Sequence, residues 1–236
     1  MSYNDKHNEA NHEDNRDGAD DNHSFNWGAE GESDDPGIAA TRAKVARSML
    51  MTLICAHGTP MLLSGDEFGR SQRGNNNGYC QDSDISWIAW AAAESDEGRA
   101  LTKFTSRLIA LRAEHSPLRA DYFMKGDREH ADGITDIAWF DEKGEQMTPE
   151  AWHYNEGRLL ACRRACRADS GVIDATLLLV NGSSDRHTFT LPAPRLAWRQ
   201  LLASADPEAA EVAVDGQSIE VESHSAMLLI ARDQDV

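Results

Sequence analysis

Hydrophobic residues recur with helical spacing in two segments of the chain. The first segment begins near Ile38, carries apolar residues three and four positions apart, and ends at Gly58, which Pro60 follows shortly afterwards. The second segment runs from about Asp96 to His115 and has the same spacing. Both patterns predict amphipathic α-helices with one wide apolar face.

A short apolar run and a long polar loop lie between the two predicted helices. The run Pro-Met-Leu-Leu at residues 60–63 ends at Gly65, and it predicts a buried strand of a parallel sheet at about residues 59–64. The polar residues that follow extend to about Trp87. Helix, buried strand, polar loop and helix in this order indicate an α/β arrangement, in which ligands bind at the carboxyl ends of strands.

From about Pro117 onwards the pattern changes to short strands. The candidate strands are residues 134–140, 158–164, 176–182, 187–192, 197–204, 218–223 and 225–232. Turn signals such as Asn181-Gly182-Ser183-Ser184 and Asp215-Gly216 separate some of them. Short strands in such a succession predict an antiparallel β-sandwich.

The first 37 residues are mostly asparagine, aspartate, glutamate, histidine and glycine, with almost no aliphatic residue. Such a composition is typical of disordered chains. The recurring asparagines and histidines, followed by Phe25 and Trp27, are also typical of a long functional loop on a rigid scaffold. Composition leaves both interpretations open.

The overall charge excludes several classes of partner. The 236 residues include 40 acidic and 23 basic side chains, for a formal net charge of −17. This charge repels phosphate groups, so we expect neither nucleic acid nor an anionic membrane surface as partner. Neither a nucleotide-binding glycine motif nor a convincing metal-ligand spacing is present, so no cofactor or metal is expected. Four cysteines and a polar N-terminus predict a cytoplasmic protein without a disulfide scaffold.

Two polar clusters offer candidate chemistry. Asp66 and Glu67 directly follow the predicted strand, where a pair of carboxylates suits general acid–base catalysis; a solvated turn is the alternative. Residues 74–82 combine three asparagines with Tyr79 and precede Trp87. Amide groups donate and accept hydrogen bonds as sugar hydroxyls do, and aromatic rings pack on the apolar faces of sugars. A turn-rich loop without a ligand is the alternative here.

Several segments of the chain resemble bacterial glycogen debranching enzymes. The segments that carry the resemblance are SYNDKHNEANHEDNRDG (2–18), GTPMLLSGDEFGRSQRGNNNGYCQD (58–82), ISWIAW (85–90) and DIAWFDEKGEQMTPEAWHYNEGRLLACR (136–163). The enzymes that they resemble are isoamylase-type members of the α-amylase superfamily, in glycoside hydrolase family 13. The resemblance covers essentially the whole chain, and residues 65–82 are its most specific part.

The resemblance implies an α/β plus all-β fold, the C-terminal remnant of a (β/α)8 TIM barrel followed by an antiparallel β-sandwich. Residues 1–116 would be the end of the barrel, with the loop after strand seven, helix seven, strand eight and helix eight. Residues 117–236 would be the C-terminal sandwich domain. The family hydrolyses α-1,6 bonds of glycogen and limit dextrins with retention of configuration.

The resemblance also implies the roles of individual residues. The family's three catalytic carboxylates lie in motifs that this sequence does not contain, so we expect no catalytic residue and no activity of the chain alone. We expect the sugar site to include these residues: Asn4, His7, Asn11, Asp66, Glu67, Arg70, Asn75, Asn76, Asn77 and Tyr79. The implied partner is a branched α-glucan. Two alternatives remain, a non-catalytic carbohydrate-binding or accessory module, and one half of a split enzyme completed by a separate chain.

Overall fold

The computed structural model describes residues 2–167 and 171–232, without the side chain of Cys80. Two compact units divide the chain. The first unit comprises the residues up to Ala46 and residues 61–106, and the second comprises residues 47–60 and those from Arg107 onwards.

Both predicted helices are confirmed. The helices are α1 (Pro36–Cys55), α2 (Trp90–Ala93), α3 (Asp96–Glu114) and α4 (Pro149–Trp152), with 3-10 turns at Glu9–Asn11, Asp66–Phe68, Gly78–Cys80 and Ser116–Leu118. Asp35 caps α1, because its Oδ1 accepts hydrogen bonds from two backbone amides of the first turn at 2.7 and 3.2 Å. Among the described residues, no helix is long and apolar enough to cross a membrane.

The predicted buried strand at about residues 59–64 is wrong. No strand is present in this segment, and the side chains of Met61 and Leu63 are 85% and 55% exposed. A strand needs a neighbour that accepts and donates its backbone hydrogen bonds, and within the described ranges no segment pairs with this run. The apolar pattern is therefore present without the sheet that would bury it.

The predicted antiparallel strands are confirmed. The strands are β1 (Glu129–Ala131), β2 (Ile134–Thr135), β3 (Ile137–Phe140), β4 (Leu159–Arg167), β5 (Ile173–Asn181), β6 (His187–Thr190), β7 (Arg199–Ala203), β8 (Val212–Ala213), β9 (Ser218–Val221) and β10 (Ser225–Arg232). Six of them form one antiparallel sheet in the order β3-β4-β5-β10-β7-β8, while β1-β2 and β6-β9 form two-stranded sheets. Antiparallel sheets thus dominate the second unit.

The core of the second unit lies between the six-stranded sheet and the smaller strands. Leu177 and Leu229 of the large sheet pack in one cluster with Phe189 of β6 and Val221 of β9. All four side chains are fully buried. Alternate residues of a strand point to the same face, so β5 and β10 direct every second side chain into this cluster. Burial of this apolar area is the main stabilising contribution to the unit.

Two neighbouring arginines of β4 are buried, and each is held by backbone carbonyl groups. Arg163 donates to Ala193 O and to Gly133 O, both at 2.7 Å, and Arg164 donates to Cys55 O at the end of α1. Burial lowers the pKa of the Arg163 guanidinium. Successive residues of a strand point to opposite faces, so the pair secures a loop on one face of the sheet and a helix end on the other.

Candidate functional site

The N-terminal loop (residues 2–35) is folded against the asparagine loop (residues 74–78), and asparagine side chains hold the two together. Asn8 is fully buried, and its Nδ2 donates to Asn76 Oδ1 at 2.8 Å while its Oδ1 accepts from the backbone amide of Asn76 at 3.0 Å. Asn15 Oδ1 accepts from the backbone amide of Asn8 at 2.9 Å. The ordered-loop interpretation of the first 37 residues is therefore the one that the structure favours.

A second set of amide contacts surrounds Asp17. Asn75 Nδ2 donates to Asn11 Oδ1 at 2.7 Å, and Asn11 Nδ2 and Asn77 Nδ2 each donate to Asp17 Oδ2 at 2.7 Å. These two amide donors lower the pKa of the Asp17 carboxyl group, so the carboxylate remains ionised. Together with the Asn8–Asn76 pair, these residues form what we call the amide network.

Two glycines permit this close approach of the loops. A Cβ atom on Gly18 would lie 2.1 Å from Asn76 Oδ1, and one on Gly74 would lie 2.7 Å from side-chain atoms of His7 and Tyr3. Both glycines also have positive φ angles, +71° and +80°. The packing of the loops therefore requires glycine at both positions.

Glu30 organises the start of the N-terminal loop. Its carboxylate accepts from the backbone amides of Asn4 and Asp5 at 2.8 and 3.1 Å, and His7 Nε2 lies 3.0 Å from Glu30 Oε1. The hydrogen bond from the Asn4 amide, with that from His7, lowers the pKa of Glu30 to about 2. Asn4 and His7 thus serve the loop's own structure.

The carboxylates of Asp66 and Glu67 lie in a tight 3-10 turn. Glu67 Oε2 accepts from the backbone amide of Gly65 at 2.8 Å, and Arg70 Nη2 donates to Ser86 O at 2.8 Å. Partial burial raises the pKa of Asp66, and the nearby Arg70 guanidinium acts in the opposite direction. This arrangement braces the turn that leads into the asparagine loop.

Aromatic side chains near the asparagine loop are exposed. Tyr79 is 90% and Trp87 is 60% exposed, and Trp87 Nε1 donates to Asp82 Oδ1 at 2.8 Å. Trp90 is also exposed and packs at a tilt on Phe68, with ring centroids 6.2 Å apart. These rings present apolar faces to solvent beside a polar loop, and such faces can pack on the apolar faces of sugar rings.

The structure brings part of the predicted site together. Asn11, Asn75, Asn76 and Asn77 lie in one network, whereas Asn4 and His7 contact Glu30. Glu67 and Arg70 bond to backbone atoms of Gly65 and Ser86, and the Arg70 charge acts on Asp66. The site prediction missed three residues with central positions, which are Asn8, Asp17 and Glu30. The repeated asparagines before Gly18 were the available signal for Asn8, but no local pattern indicates which asparagines become buried.

Solved structures of pullulanases are similar in fold to this chain. Pullulanase type I from Bacillus subtilis, solved with maltose, superposes on 85% of this chain with a TM-score of 0.58 and 20% sequence identity, and the match covers 24% of that chain. Pullulanase from Bacillus acidopullulyticus superposes on 84% of this chain with a TM-score of 0.56 and 17% identity, over 21% of its own length. This region therefore shares its fold with part of the pullulanases.

Sequence relatives narrow the class to one family. The glycogen debranching enzyme of Dickeya chrysanthemi is 37% identical over 231 residues, which are 98% of this chain and 32% of the relative. The glycogen operon protein GlgX homolog of Mycobacterium tuberculosis is 40% identical over 218 residues, 88% of this chain and 30% of the relative. No protein-family model matches the sequence. The chain belongs to the bacterial glycogen debranching enzymes, as a part that spans about a third of the length of these curated relatives.

Proposed function

We propose that the chain is part of a glycoside hydrolase that removes branches from glycogen or limit dextrin by hydrolysing α-1,6-glucosidic bonds with retention of configuration. The observation that carries the proposal is the 37% identity over 98% of this chain to a glycogen debranching enzyme. In this proposal residues 1–116 complete a (β/α)8 barrel and residues 117–236 form a C-terminal β-sandwich. The site lies at the loops, where such barrels bind their substrates.

The loop pair supplies substrate binding in this proposal, and it supplies no catalytic group. The side chains of the amide network bond to each other and to backbone groups, so their contribution is to hold the loops rigid. The exposed Tyr79 and Trp87 rings are then the surfaces on which glucose units stack. A retaining mechanism needs a nucleophile and an acid/base carboxyl group about 5–5.5 Å apart, and other parts of the barrel provide them.

A chimeric enzyme tests this proposal. Residues 2–236 replace the matching segment of the Dickeya enzyme, and release of reducing ends from limit dextrin is measured. We expect activity in the chimera and none in the 236-residue polypeptide alone. An Asn76→Ala, Tyr79→Ala double variant of the chimera should show a raised KM, whereas Trp139→Ala, far along the sequence in β3, is the matched control. A folded chimera without activity would contradict the proposal.

A second candidate follows from the exposed apolar segment at Met61 and Leu63. In this candidate, further barrel strands cover the exposed run, either from the same polypeptide or from a separate chain as in a split enzyme. Co-expression of the polypeptide with the remaining two thirds of a relative tests the split arrangement. Restored activity would support it, and two proteins that purify separately and stay inactive would contradict it.

We also assign the proposed enzyme to the cytoplasm. Cys55, Cys162 and Cys166 are buried free thiols. Burial raises the pKa of both Cys55 and Cys162 to about 11, which keeps these thiols protonated and unreactive. Unpaired cysteines of this kind are typical of a reducing compartment.

A further inference from the structure

Two aromatic residues of the N-terminal loop form a contact that lies outside the amide network. The rings of Phe25 and Trp27 meet edge to face, with centroids 5.1 Å apart and planes inclined at 83°. Phe25 is 57% exposed, whereas Trp27 is half-buried. Whichever of the two rings presents its edge, at least one face of the Phe25 ring is not covered by Trp27. We call these two residues the aromatic pair.

The backbone at Trp27 has a left-handed conformation, with a φ angle of +58°. This conformation is unfavourable for a bulky side chain, and glycine or asparagine adopts it more easily. Strained residues of this kind persist where surrounding contacts hold them, and they are concentrated at sites that bind ligands. A tryptophan in this conformation is therefore a first indication that its ring has a role.

Arg42 of α1 holds the backbone on either side of Trp27. Its Nη2 donates to Asn26 O at 2.6 Å, and its Nη1 donates to Gly31 O at 2.7 Å. The backbone amide of Asn26 in turn donates to Asn4 Oδ1 at 2.7 Å. These bonds fix the segment that carries the aromatic pair, so little ordering is required when a ligand stacks on it.

Tyr3 connects the aromatic pair with the asparagine loop. Its carbonyl oxygen accepts from the hydroxyl group of Ser24, which directly precedes Phe25. Its ring contacts the His7 ring at a centroid distance of 5.2 Å, and a Cβ atom on Gly74 would lie 2.7 Å from this Tyr3 ring. The aromatic pair and the asparagine loop are thus parts of the same compact unit and share one packing residue.

The charges beside the aromatic pair favour a neutral ligand. Residues 20–35 include six acidic residues and neither lysine nor arginine, which disfavours an anion. Glu30 and Asp35 already accept backbone hydrogen bonds, and Asp20 pairs with Lys6 at 2.5 Å. Half of these carboxylates therefore have partners within the chain and attract a cation less.

We propose that the aromatic pair is a second stacking position for the α-glucan chain. Phe25 contacts the apolar face of one glucose unit, and Trp27 holds the Phe25 ring in place. A chain that reaches both Phe25 and the exposed Tyr79 gains from two contacts, because the second contact forms intramolecularly once the first is made. The loop pair therefore selects longer glucan chains over maltose. The choice of an α-glucan rests on the proposed function, whereas the fixed and exposed aromatic pair does not.

The test observes the ring of Phe25 directly. The 236-residue chain is labelled with ¹³C-phenylalanine, and maltose and maltohexaose are titrated while the aromatic resonances are recorded. Phe25→Leu identifies the resonances of this ring. We expect them to move with maltohexaose, with a dissociation constant on the order of millimolar, since few groups contact the ligand. Phe25 resonances that stay unmoved at roughly ten times that concentration would overturn the proposal.

Maltose tests the preference for longer chains. It should bind more weakly than maltohexaose, because it is too short to contact Phe25 and Tyr79 together. Equal dissociation constants for the two sugars would overturn this preference. Tetralysine is the charged probe, and a larger movement of the Phe25 resonances with tetralysine than with maltohexaose would overturn the assignment of a neutral ligand.

Variants separate stacking on the ring from other effects of the side chain. Phe25→Tyr keeps an aromatic face and should bind maltohexaose as the unchanged chain does. Phe25→Leu keeps apolar area without a ring and should weaken binding about two- to tenfold. The position is exposed, so the fold should persist in both variants. Phe123→Ala, at another exposed phenylalanine, is the matched control. Equal binding by the Phe25→Tyr and Phe25→Leu chains would contradict stacking on this ring.

A further variant tests Trp27 as a positioning residue. Trp27→Asn suits the left-handed backbone, so the fold should persist, but it removes the ring that orients Phe25. We expect the variant to bind maltohexaose several-fold more weakly, and to bind no more weakly still when Phe25→Leu is added. Unaltered binding in the Trp27→Asn chain would contradict the role of Trp27.

The chimera separates this inference from the proposed function. If the chimera is inactive while maltohexaose still moves the Phe25 resonances, glucan binding by the aromatic pair is supported and the debranching proposal is contradicted. In an active chimera, Phe25→Leu should raise KM for substrates with branches of several glucose units and leave kcat unchanged. An unchanged KM in that active chimera would contradict this inference alone.

Discussion

The loop pair of the first unit and the six-stranded sheet of the second are ordered by different interactions. In the loop pair, single polar atoms meet single partners, as where Asn8 bonds to Asn76. In the sheet, β5 bonds to β4 and β10 along almost its whole length, and large apolar side chains such as Leu177 and Leu229 share one cluster. One region therefore depends on exact donor–acceptor pairs, and the other on buried area.

Because of this difference, we expect the two regions to respond differently to substitution. A sheet distributes its stability over many contacts, so a substitution in its core acts on the folding of the whole unit. A loop held by a few amides should open locally when one of them is lost, because the remaining contacts are few. The following predictions test this contrast, in order of decreasing effect.

Leu229→Ala should lower the free energy of unfolding by about 2–5 kcal/mol, because it leaves a cavity in the middle of the fully buried cluster. Denaturant unfolding followed by far-ultraviolet circular dichroism measures the change. Val212→Ala, at an exposed position of β8, is the control and should change the value by less than about 0.5 kcal/mol. Equal effects of the two substitutions would contradict the view that buried apolar area stabilises the sheet.

Asn8→Ala should open the loop pair locally, at a cost of about 1–3 kcal/mol, since it leaves the backbone amide and the side-chain oxygen of Asn76 without their hydrogen-bond partner. Limited proteolysis should cut first within residues 5–18 or 74–78, and the second unit should remain protected. Asn155→Ala, at an exposed position, should leave the cleavage pattern unchanged. Simultaneous cleavage of both units in the Asn8 variant would show that they do not respond independently.

Acid should loosen the loop pair through Glu30. Its pKa in the folded chain is about 2, below the ordinary value of 4.5, so its contribution to stability is present above pH 4.5. That contribution is lost as the pH falls from 4.5 towards 2, and the lowered pKa of Asp17 acts in the same direction. Amide hydrogen exchange of residues 4–30, corrected for the intrinsic pH dependence, should reveal this loosening.

Glu30→Gln should remove part of that acid response, because glutamine does not titrate and cannot accept the same set of charged hydrogen bonds. The exchange of residues 4–30 should already be faster at neutral pH and should change less between pH 4.5 and 2. Glu32→Gln, two positions further on, is the matched control. An identical acid response in both variants would show that the titration of Glu30 does not cause the loosening of the loop pair.

Tyr79→Ala should have the smallest effect on stability, less than about 0.5 kcal/mol, because the side chain is 90% exposed. It should nevertheless weaken the binding of maltohexaose, which stacks on this ring in the proposed site. Isothermal titration calorimetry measures the affinity, and Phe123→Ala, another exposed aromatic position, serves as control. A large loss of stability without a change in binding would contradict the role of Tyr79 in binding and would give it a structural role instead.

The helices and the antiparallel strands of this protein could be predicted from local patterns in its sequence. Helical spacing within residues 36–55 and 96–114 predicts the two long helices, and short apolar runs within residues 173–181 and 225–232 predict strands. The family could be predicted as well, from the resemblance of residues 65–82 and other short segments to glycogen debranching enzymes. Both kinds of signal lie between residues close in sequence, so no tertiary information is needed to detect them.

Only the tertiary structure decided which polar residues are partners and which apolar residues are covered. Asn8 and Asn76 are 68 positions apart, and their pairing depends on the glycines that let the two loops approach. The apolar run at residues 60–63 has the composition of a buried strand, yet it forms none without a hydrogen-bonding neighbour in the described ranges. A cavity of about 140 Å³ lined by Leu191, Leu196 and Gln217 likewise exists only because the segment after β6 and the turn before β9 meet across it. The type of a side chain determines which hydrogen bonds or apolar contacts it can make. Contacts between segments that are distant in sequence determine whether a partner for those interactions is present.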